Sequence, residues 1–224
     1  MSSGNIATAG QDKTIKIWDL SKKESLMTFN GHKSMIWTMC EIKGNKLMTG
    51  GSDKIVKIWD VNTKKEENEF YKGDNEISVI LQLKNEKIVL CCGSKLLLFD
   101  FKTKKEEKKL DIPSGVWAII QLKNENIVAG LGNGNLAIID EKELIIKKTL
   151  DNGHKRSVTC IIELDNGKIV SASDTENDMI LWDLEDSSKK YIIQGHTNVV
   201  LALTFISGTK FASTSDDKTL KIWE

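Results

Sequence analysis

The feature that most constrains this chain is an internal repeat with a period of about 40 residues. Six runs each end in an aromatic or aliphatic residue followed by an acidic one. Successive end positions lie 41, 40, 40, 43 and 41 residues apart. Spacing this even indicates a chain assembled from copies of one structural unit. The six marked positions are Trp18, Trp59, Phe99, Ile139, Trp182 and Trp223.

Each period contains short runs rich in Ile and Val, separated by clusters of turn-forming residues. Residues 77–83 alternate polar and apolar side chains, residues 84–86 form a turn signal, and residues 88–91 are wholly apolar. Such runs are typical of β-strands, and no window carries a helical stripe of useful length. We therefore predict an all-β chain with about four strands per repeat and about 22 strands in total.

A run rich in Lys, in most cases with Glu, closes most periods, at residues 22–24, 64–67, 104–107 and 189–190. Such a run fits the outermost strand of a sheet, because charged side chains discourage edge-to-edge association. Lys plus Arg and Asp plus Glu number 32 each, so the formal net charge is zero. A balanced charge gives no general attraction to nucleic acid or anionic lipid, and we expect neither as a partner.

Three Gly-His steps stand in phase with the repeat, and all three histidines of the chain belong to them. On these motifs the chain resembles the WD-repeat β-propellers, and the resemblance covers essentially the whole chain. It implies one propeller domain over residues 1–224, with about six blades stacked around an axis and the first and last blades incomplete. The motifs are Gly31-His32 with Trp59-Asp60, Gly153-His154 with Trp182-Asp183, and Gly195-His196 with Trp223-Glu224.

The resemblance also implies a buried chain of hydrogen bonds within such blades. The indole N–H donates to a Ser or Thr hydroxyl, the hydroxyl donates to His, and His donates to a carboxylate. Three such sets are present. In the second, the carboxylate comes from an Asp of the stretched turn at 174–178, and the sequence leaves open which Asp this is. The matching residues are His32, Thr49, Asp53 and Trp59; His154, Ser171 and Trp182; and His196, Ser213, Asp217 and Trp223. The first segment supplies only Thr8, Asp12 and Trp18.

Two middle repeats depart from this pattern, and in each the Gly-His step, the hydroxyl and the Trp are all replaced. Exchanging a whole polar set for apolar groups is nearly neutral, whereas losing one partner is costly. We therefore expect both repeats to be true blades. The replacing residues are Gly73-Asp74, Leu90 and Phe99 in one repeat, and Ser114-Gly115, Ala129 and Ile139 in the other.

Two arrangements of the end blades fit the strand count. Either two three-stranded end blades complete a compact six-bladed ring, or the chain is part of a longer, seven-bladed propeller. In both arrangements the incomplete blades carry unpaired strand edges, and we expect self-association through these edges.

The recurring Ser, His and Asp residues look superficially like a hydrolase triad. They recur in several repeats, and the hydrogen bond from the indole N–H uses the acceptor capacity of the hydroxyl, which leaves no free nucleophile. We therefore predict no catalytic residue and no enzyme activity. The acidic turn at 174–178 fits a solvated turn better than a calcium site, and residues 130–134 fit a hairpin better than a phosphate loop. We expect no metal, no cofactor and reduced thiols at Cys40, Cys91, Cys92 and Cys160, which lack metal-ligand spacing.

In WD-repeat proteins the start of the first strand of each blade faces a rim that receives partners, and the resemblance implies the same here. Two Trp residues occupy positions there that need not be apolar, and exposed aromatic anchors dominate interface energies. Packing between blades is the alternative role for both. The candidate partner-binding residues are Met35, Trp37, Trp117, Arg156 and Leu201.

The resemblance implies a non-catalytic scaffold for protein–protein interaction that docks partner peptides or domains on the propeller rim. One alternative is a substrate-recruiting subunit of a larger complex, such as a ubiquitin ligase or a signalling assembly. A less favoured alternative is an enzyme built on the propeller. The N-terminus lacks the basic start and apolar stretch of a signal peptide, and no apolar run reaches the ~20 residues of a membrane span. We expect other proteins as partners and a cytoplasmic, or alternatively nuclear, location.

Overall fold

The computed structural model describes residues 4–186 and 189–224. Within these residues the chain forms 22 strands, the number predicted, and no helix, so the all-β fold class is confirmed. None of the described segments is therefore a helix long and apolar enough to cross a bilayer. Residues 1–3 lie outside the described residues. They are the start of the N-terminal segment in which the sequence shows no signal-peptide features.

The chain divides into two compact units, Met1–Ile112 and Pro113–Glu224. The expectation of a single domain over residues 1–224 stays a prediction. The first unit contains β1 (Ile6–Ala9), β2 (Thr14–Asp19), β3 (Glu24–Asn30), β4 (Ile36–Ile42), β5 (Lys46–Gly51), β6 (Ile55–Asp60), β7 (Lys65–Lys72), β8 (Ile77–Gln82), β9 (Ile88–Cys92), β10 (Lys95–Phe99) and β11 (Glu106–Asp111). The second contains β12 (Val116–Gln121), β13 (Ile127–Leu131), β14 (Leu136–Asp140), β15 (Ile145–Leu150), β16 (Val158–Glu163), β17 (Ile169–Ser173), β18 (Met179–Trp182), β19 (Lys190–Ile193), β20 (Val200–Ser207), β21 (Lys210–Ser215) and β22 (Leu220–Trp223).

Each unit consists of three antiparallel sheets whose strands follow one another in chain order. We call them blades 1 to 3 in the first unit and blades 4 to 6 in the second. Blades 2 to 5 are β4–β7, β8–β11, β12–β15 and β16–β19, and their strands are lettered a to d in chain order. Blade 1 consists of β1–β3 and blade 6 of β20–β22. The six sheets are the six predicted propeller blades.

The repeat assigns lettered positions to the strands of the two short blades. Ile6 and Thr8 of β1 correspond to Leu47 and Thr49 of β5, 41 residues later. Both strands also pair with the strand that follows in the same register, Ile6 opposite Trp18 and Leu47 opposite Trp59. Strands β1–β3 therefore hold positions b to d, as predicted for the first segment, and β20–β22 hold positions a to c.

In the first unit, strands b and c of blades 2 and 3 are almost entirely buried on both faces. Successive side chains of a strand point to opposite faces, so each face needs a neighbouring blade. Ile17 and Phe29 of blade 1 pack against Trp59 of blade 2. On the other face of blade 2, Met48 packs in one cluster with Leu90 of blade 3.

The second unit uses the same packing. Val128 of blade 4 and Trp182 of blade 5 share one apolar cluster. Val170 on the opposite face of blade 5 shares another with Phe211 and Trp223 of blade 6. Burial of apolar surface contributes roughly 25 cal/mol per Å², so the contacts between successive blades are the main source of stability within each unit.

The d strands form one edge of their sheets. Within the described residues β3, β7, β11, β15 and β19 each pair with one neighbour only. The Lys- and Glu-rich runs fall in the turns before these strands and in their first residues, for example where β7 begins at Lys65 and β11 at Glu106. Charged side chains at this edge limit association between sheets, since the edge exposes unpaired backbone groups.

In blades 1 to 5 the Asp that follows the marked position closes the turn between strands c and d. Asp60 Oδ1 accepts hydrogen bonds from the N–H groups of Asn62 and Thr63, at 2.8 and 2.9 Å. The same side-chain turn recurs at Asp19, Asp100, Asp140 and Asp183. It is present in blades 3 and 4, where the Trp is replaced, so the Asp serves the turn rather than the Trp.

Hydrogen bonds to these carboxylates lower the pKa of each one, with the Thr63 N–H as the largest cause at Asp60 and the Thr103 N–H at Asp100. A carboxyl whose pKa is lower in the folded chain adds stability that is complete above its ordinary pKa of about 3.9 and is lost as the pH falls below it. We predict that the melting temperature falls steeply in this acid range.

The variant Asp60→Asn/Asp100→Asn is expected to show a shallower acid dependence, since Asn keeps the accepting oxygen but does not titrate. Thermal unfolding followed by circular dichroism between about pH 6 and pH 3 measures the difference. Asp111→Asn, in β11 and outside these turns, is the control. Identical slopes for the parent and the double variant would contradict the prediction.

Candidate functional site

Blade 2 contains a continuous chain of polar contacts between its strands. His32 precedes β4, Thr49 lies in β5, Asp53 lies in the turn after β5, and Trp59 lies in β6. Trp59 Nε1 donates to Thr49 Oγ1 over 2.7 Å, and Thr49 Oγ1 lies 2.7 Å from His32 Nε2. His32 Nδ1 lies 2.8 Å from Asp53 Oδ2. The structure thus brings the four residues of this set together.

Blade 5 contains the same chain with a different carboxylate. Trp182 Nε1 donates to Ser171 Oγ over 2.8 Å, Ser171 Oγ lies 2.8 Å from His154 Nε2, and His154 Nδ1 lies 2.7 Å from Glu176 Oε2. The expectation of an Asp was wrong. The turn between β17 and β18 is two residues longer than the turn between β5 and β6, and the longer Glu side chain reaches back across it.

Blade 6 completes the third set. Trp223 Nε1 donates to Ser213 Oγ over 2.8 Å, and Ser213 Oγ lies 2.6 Å from His196 Nε2. His196 Nδ1 lies 2.7 Å from Asp217 Oδ2. A donor-only indole at one end and a carboxylate at the other fix the direction of the chain. The histidine therefore accepts at Nε2 and donates its proton from Nδ1.

In blade 5 the electrostatics fit a neutral imidazole. Burial lowers the pKa of His154, and the hydrogen bond that His154 donates to Glu176 acts against this effect. Burial also acts to raise the pKa of Asp53, but the hydrogen bonds from the Lys33 N–H and from His32 outweigh burial and lower it. An ionised carboxylate beside a neutral histidine leaves each polar group of the set with a partner. An unsatisfied member would cost about 1–3 kcal/mol.

The glycine of each Gly-His step makes room for the indole. A Cβ atom built on Gly153 would lie 2.7 Å from ring atoms of Trp182, and one on Gly195 would lie 2.7 Å from the ring of Trp223. These distances are shorter than van der Waals contact, so a larger residue would displace the Trp. The Gly, His and Trp positions are therefore coupled by packing as well as by hydrogen bonds.

Blades 3 and 4 replace the polar chain with apolar contacts. Leu90 and Ala129, at the hydroxyl positions, are fully buried, as are Phe99 and Ile139 at the Trp positions. The Phe99 ring contacts Tyr71 with a centroid distance of 5.4 Å in an edge-on arrangement. In each of these two blades the members of the polar set are replaced together, so no member remains there without its partner.

The hydroxyl groups of the polar sets are buried and hydrogen-bonded. Thr49 and Ser171 are fully buried, and each hydroxyl already accepts from an indole and faces an imidazole nitrogen. No hydroxyl of these sets is free to attack a substrate. Among residues 4–186 and 189–224, no group of three or more His, Cys, Asp or Glu side chains is arranged to hold a metal ion. The four cysteines are free thiols, and burial raises the pKa of Cys91.

The a strands carry a second repeated feature, a β-bulge directly after their first residue. In β4, Ile36 pairs with Gly51 and Thr38 with Gly50, so Trp37 is the extra residue. The residue before the bulge is buried in every case, whereas the bulge turns the next side chain away from the sheet pairing. The bulged residues are Trp37, Ser78, Trp117, Thr159 and Leu201.

In the first unit the bulge presents Trp37, which is 48% exposed. Its Nε1 donates to Ser52 Oγ over 2.6 Å, and the Ser52 N–H donates to the carbonyl oxygen of Met35 over 3.0 Å. The Met35 side chain is half-buried beside it. These bonds fix the indole in place while about half of it faces solvent.

In the second unit Trp117 is 48% exposed and Leu201 is 53% exposed. A Cβ atom built on Gly132 would lie 3.2 Å from Trp117 Nε1, so the absence of a side chain there lets the indole lie against the backbone. Arg156, ahead of the a strand of blade 5, is exposed. The candidate partner-binding residues therefore offer solvent-facing apolar surface in both units and an exposed cation in the second.

Sequence reasoning missed two residues that hold these sites together. Ser52 fixes Trp37, and Glu176 completes the set of His154. The sequence offered two signals for them, a Ser directly after strand b and an acidic residue in an unusually long turn between strands b and c. Neither signal specifies which residue is the hydrogen-bond partner.

The complete set in blade 2 generates a stability prediction. His32→Ala removes the acceptor of the buried Thr49 hydroxyl and one of the donors to Asp53, so we expect the free energy of unfolding to fall by about 1–3 kcal/mol. Thr8→Val, at the equivalent of Thr49 in blade 1, is the control, because no histidine of this chain bonds to Thr8 and the loss should be smaller. Urea unfolding followed by Trp fluorescence measures both variants. An unchanged midpoint for His32→Ala would contradict the structural role of the set.

Comparison with known families agrees with the blade geometry. The family model described as WD domain, G-beta repeat, matches residues 2–19, 23–60 and 187–224. The second match contains β3–β6, strand d of one blade and strands a to c of the next, and the third contains the corresponding strands β19–β22. No curated protein is similar enough to the chain to count as a match. These matches, the repeated Gly-His and Trp-Asp steps and the six blades together support the assignment of the chain to the WD-repeat β-propeller family.

Proposed function

We propose that this chain is a non-catalytic scaffold that docks partner peptides or domains through the side chains presented by the a-strand bulges. WD-repeat propellers generally act by binding other proteins or peptides. The observation that carries the proposal is the exposure of Trp37 and Trp117, at 48% each, although the residue directly before each of them is buried. A bulge repeated in five blades places each of these side chains on a rigid sheet.

Rigid aromatic anchors favour binding because little side-chain entropy is lost when a partner covers them. Trp37 is already held by its hydrogen bond to Ser52. Trp, Tyr and Arg are the residues most often found to dominate interface energies. Arg156 adds a cation suited to a carboxylate or phosphate on a partner. Each unit thus offers a preformed apolar anchor of its own, and the second unit adds a cation beside it, as in an interface with an apolar centre and a polar margin.

A finer form of this binding function is the recruitment of substrates to a larger complex, such as a ubiquitin ligase or a signalling assembly. Recruitment would use the same side chains, and it differs from simple docking only in what else the complex contains. An enzyme built on the propeller needs a polar cluster that breaks the repeat, and the polar sets instead recur from blade to blade with their hydroxyls occupied. We propose a cytoplasmic location for the scaffold, with a nuclear one as the alternative.

A pull-down from an extract of the cells that make the protein tests the proposal. The parent chain is compared with Trp37→Ala/Trp117→Ala, and with Tyr191→Ala as the matched control, since Tyr191 is an aromatic residue of β19 with 51% exposure. We expect the parent and the control to retain the same proteins and the double variant to lose them. Identical protein lists from all three chains would remove these residues from the binding surface.

A further inference from the structure

The two exposed tryptophans of the a-strand bulges differ in how their indole N–H groups are used. Trp37 Nε1 donates to Ser52 Oγ over 2.6 Å. Among residues 4–186 and 189–224, by contrast, no group accepts a hydrogen bond from Trp117 Nε1. Both side chains are 48% exposed, so burial does not cause the difference. Solvent satisfies an exposed N–H until a ligand replaces the water, so the Trp117 donor is available to a partner.

One difference in sequence between blades 2 and 4 accounts for this free donor. Gly132 stands 80 residues after Ser52 and takes its place directly after strand b. In both blades the N–H of this residue donates to the carbonyl oxygen of the residue two positions before the Trp. Ser52 donates to Met35 over 3.0 Å, and Gly132 donates to Gly115 over 2.8 Å. The backbone contact is therefore the same, and only the hydroxyl that accepts from the indole is missing in blade 4.

Two hydrogen-bond donors border the place of the missing hydroxyl. A Cβ atom built on Gly132 would lie 3.2 Å from Trp117 Nε1 and 3.0 Å from Ser114 Oγ. Ser114 is half-buried, and within the described part of the chain its hydroxyl has no hydrogen-bond partner either. We call Ser114, Trp117 and Gly132 the Gly132 niche. An oxygen atom that enters the niche from solvent can accept from both donors, as the Ser52 hydroxyl accepts from Trp37.

An exposed cation lies beside the Gly132 niche. Arg156 forms no hydrogen bond or ion pair through its side chain with any of the residues that the structure describes. Its carbonyl oxygen would lie 3.2 Å from a Cβ atom on Gly134, which follows Gly132 by two residues in the same turn. The Asp174 N–H donates to the neighbouring Ser157 carbonyl, but the Asp174 carboxylate forms no ion pair with Arg156. The guanidinium is therefore available to an anion that binds at the niche.

We propose that the Gly132 niche binds the carboxylate of an Asp or Glu side chain in a partner peptide, and this proposal rests on the docking function proposed above. One carboxylate oxygen accepts from Trp117 Nε1 and Ser114 Oγ, and the other faces Arg156. Hydrogen bonds to an ionised acceptor are roughly twice as strong as neutral ones, so an acidic residue is favoured over an amide or a hydroxyl. The apolar face of Trp117 remains available to the neighbouring residues of the peptide.

The two Trp anchors then differ in what they recognise. In the first unit the Ser52 hydroxyl occupies the indole N–H of Trp37, so this anchor offers apolar surface alone. In the second unit Trp117 offers apolar surface and a hydrogen-bond donor beside a cation. A partner residue that is apolar suits the first anchor, and an acidic residue flanked by apolar ones suits the second.

Binding of the full chain to three pools of immobilised heptapeptides tests the proposal. The peptides have blocked ends, random flanking residues other than Asp and Glu, and a fixed central residue, which is Glu, Gln or phosphoserine. We expect the Glu pool to retain the most protein. The Glu-centred peptide that binds most tightly is labelled with fluorescein, and fluorescence anisotropy gives its Kd. Equal or greater retention by the Gln or the phosphoserine pool would overturn the proposal, as would no saturable binding up to about 1 mM peptide.

Chain variants then test each donor with the labelled Glu-centred peptide. Trp117→Phe keeps the aromatic surface but removes the N–H, so the Kd should rise about tenfold. Gly132→Ser should have a similar effect, because the new hydroxyl accepts from the indole as in blade 2. Arg156→Gln should weaken binding mainly at low salt. Lys142→Gln removes an exposed cation from the turn between β14 and β15, and as the control it should leave the Kd unchanged.

Trp117→Ala separates this proposal from the docking function on which it rests. If Trp117→Ala weakens binding and Trp117→Phe does not, Trp117 is an apolar anchor only, so the carboxylate assignment is overturned while the docking function stands. If neither variant weakens binding, both proposals fail at this residue. Circular dichroism checks that each variant folds like the parent. Gly132→Ser leaves Trp117 itself unchanged, so it decides the outcome if a Trp117 variant does not fold.

Discussion

A thin sheet with two apolar faces is unstable by itself, and this constraint shapes the whole chain. Strands b and c of blades 2 and 5 are buried on both faces, by the preceding blade on one side and the following blade on the other. Their runs are therefore almost continuously apolar, while the d strands at the sheet edge alternate and carry charge. The polar sets of blades 2, 5 and 6 lie inside this packing, which makes their hydrogen bonds strong and their loss costly.

The buried polar set and the proposed partner-binding residue occupy different parts of a blade. The buried set ties the segment before strand a to strands b and c, so it fixes where strand a begins. The bulge follows within a few residues of that point and turns one side chain towards solvent. A stiff blade with one outward side chain at a fixed place can bind different partners by changing that residue alone, as the sequence from Trp37 to Ser78 to Trp117 illustrates.

Much of the fold could be predicted from the sequence because its signals are local and repeated. The period, the apolar runs and the turn residues give the strands, and the chemistry of indole, hydroxyl, imidazole and carboxylate gives the sets at Trp59 and Trp223. Glu176 could not be predicted, because the path of a longer turn depends on packing rather than on spacing. For Trp37 the sequence left two alternatives open, exposure at the rim and packing between blades, since a bulge is a property of strand register that composition does not encode.

The contrast between blades 2 and 3 also constrains how such a chain can change over time. A blade with Thr49 and His32, and a blade with Leu90 and an apolar surround, are both well packed, but the single substitutions that lead from one to the other pass through less stable forms. Evolution from one type of blade to the other therefore requires either surplus folding stability or several substitutions that occur almost together. Repeats of one chain can in this way become trapped in distinct chemical states without any change in architecture.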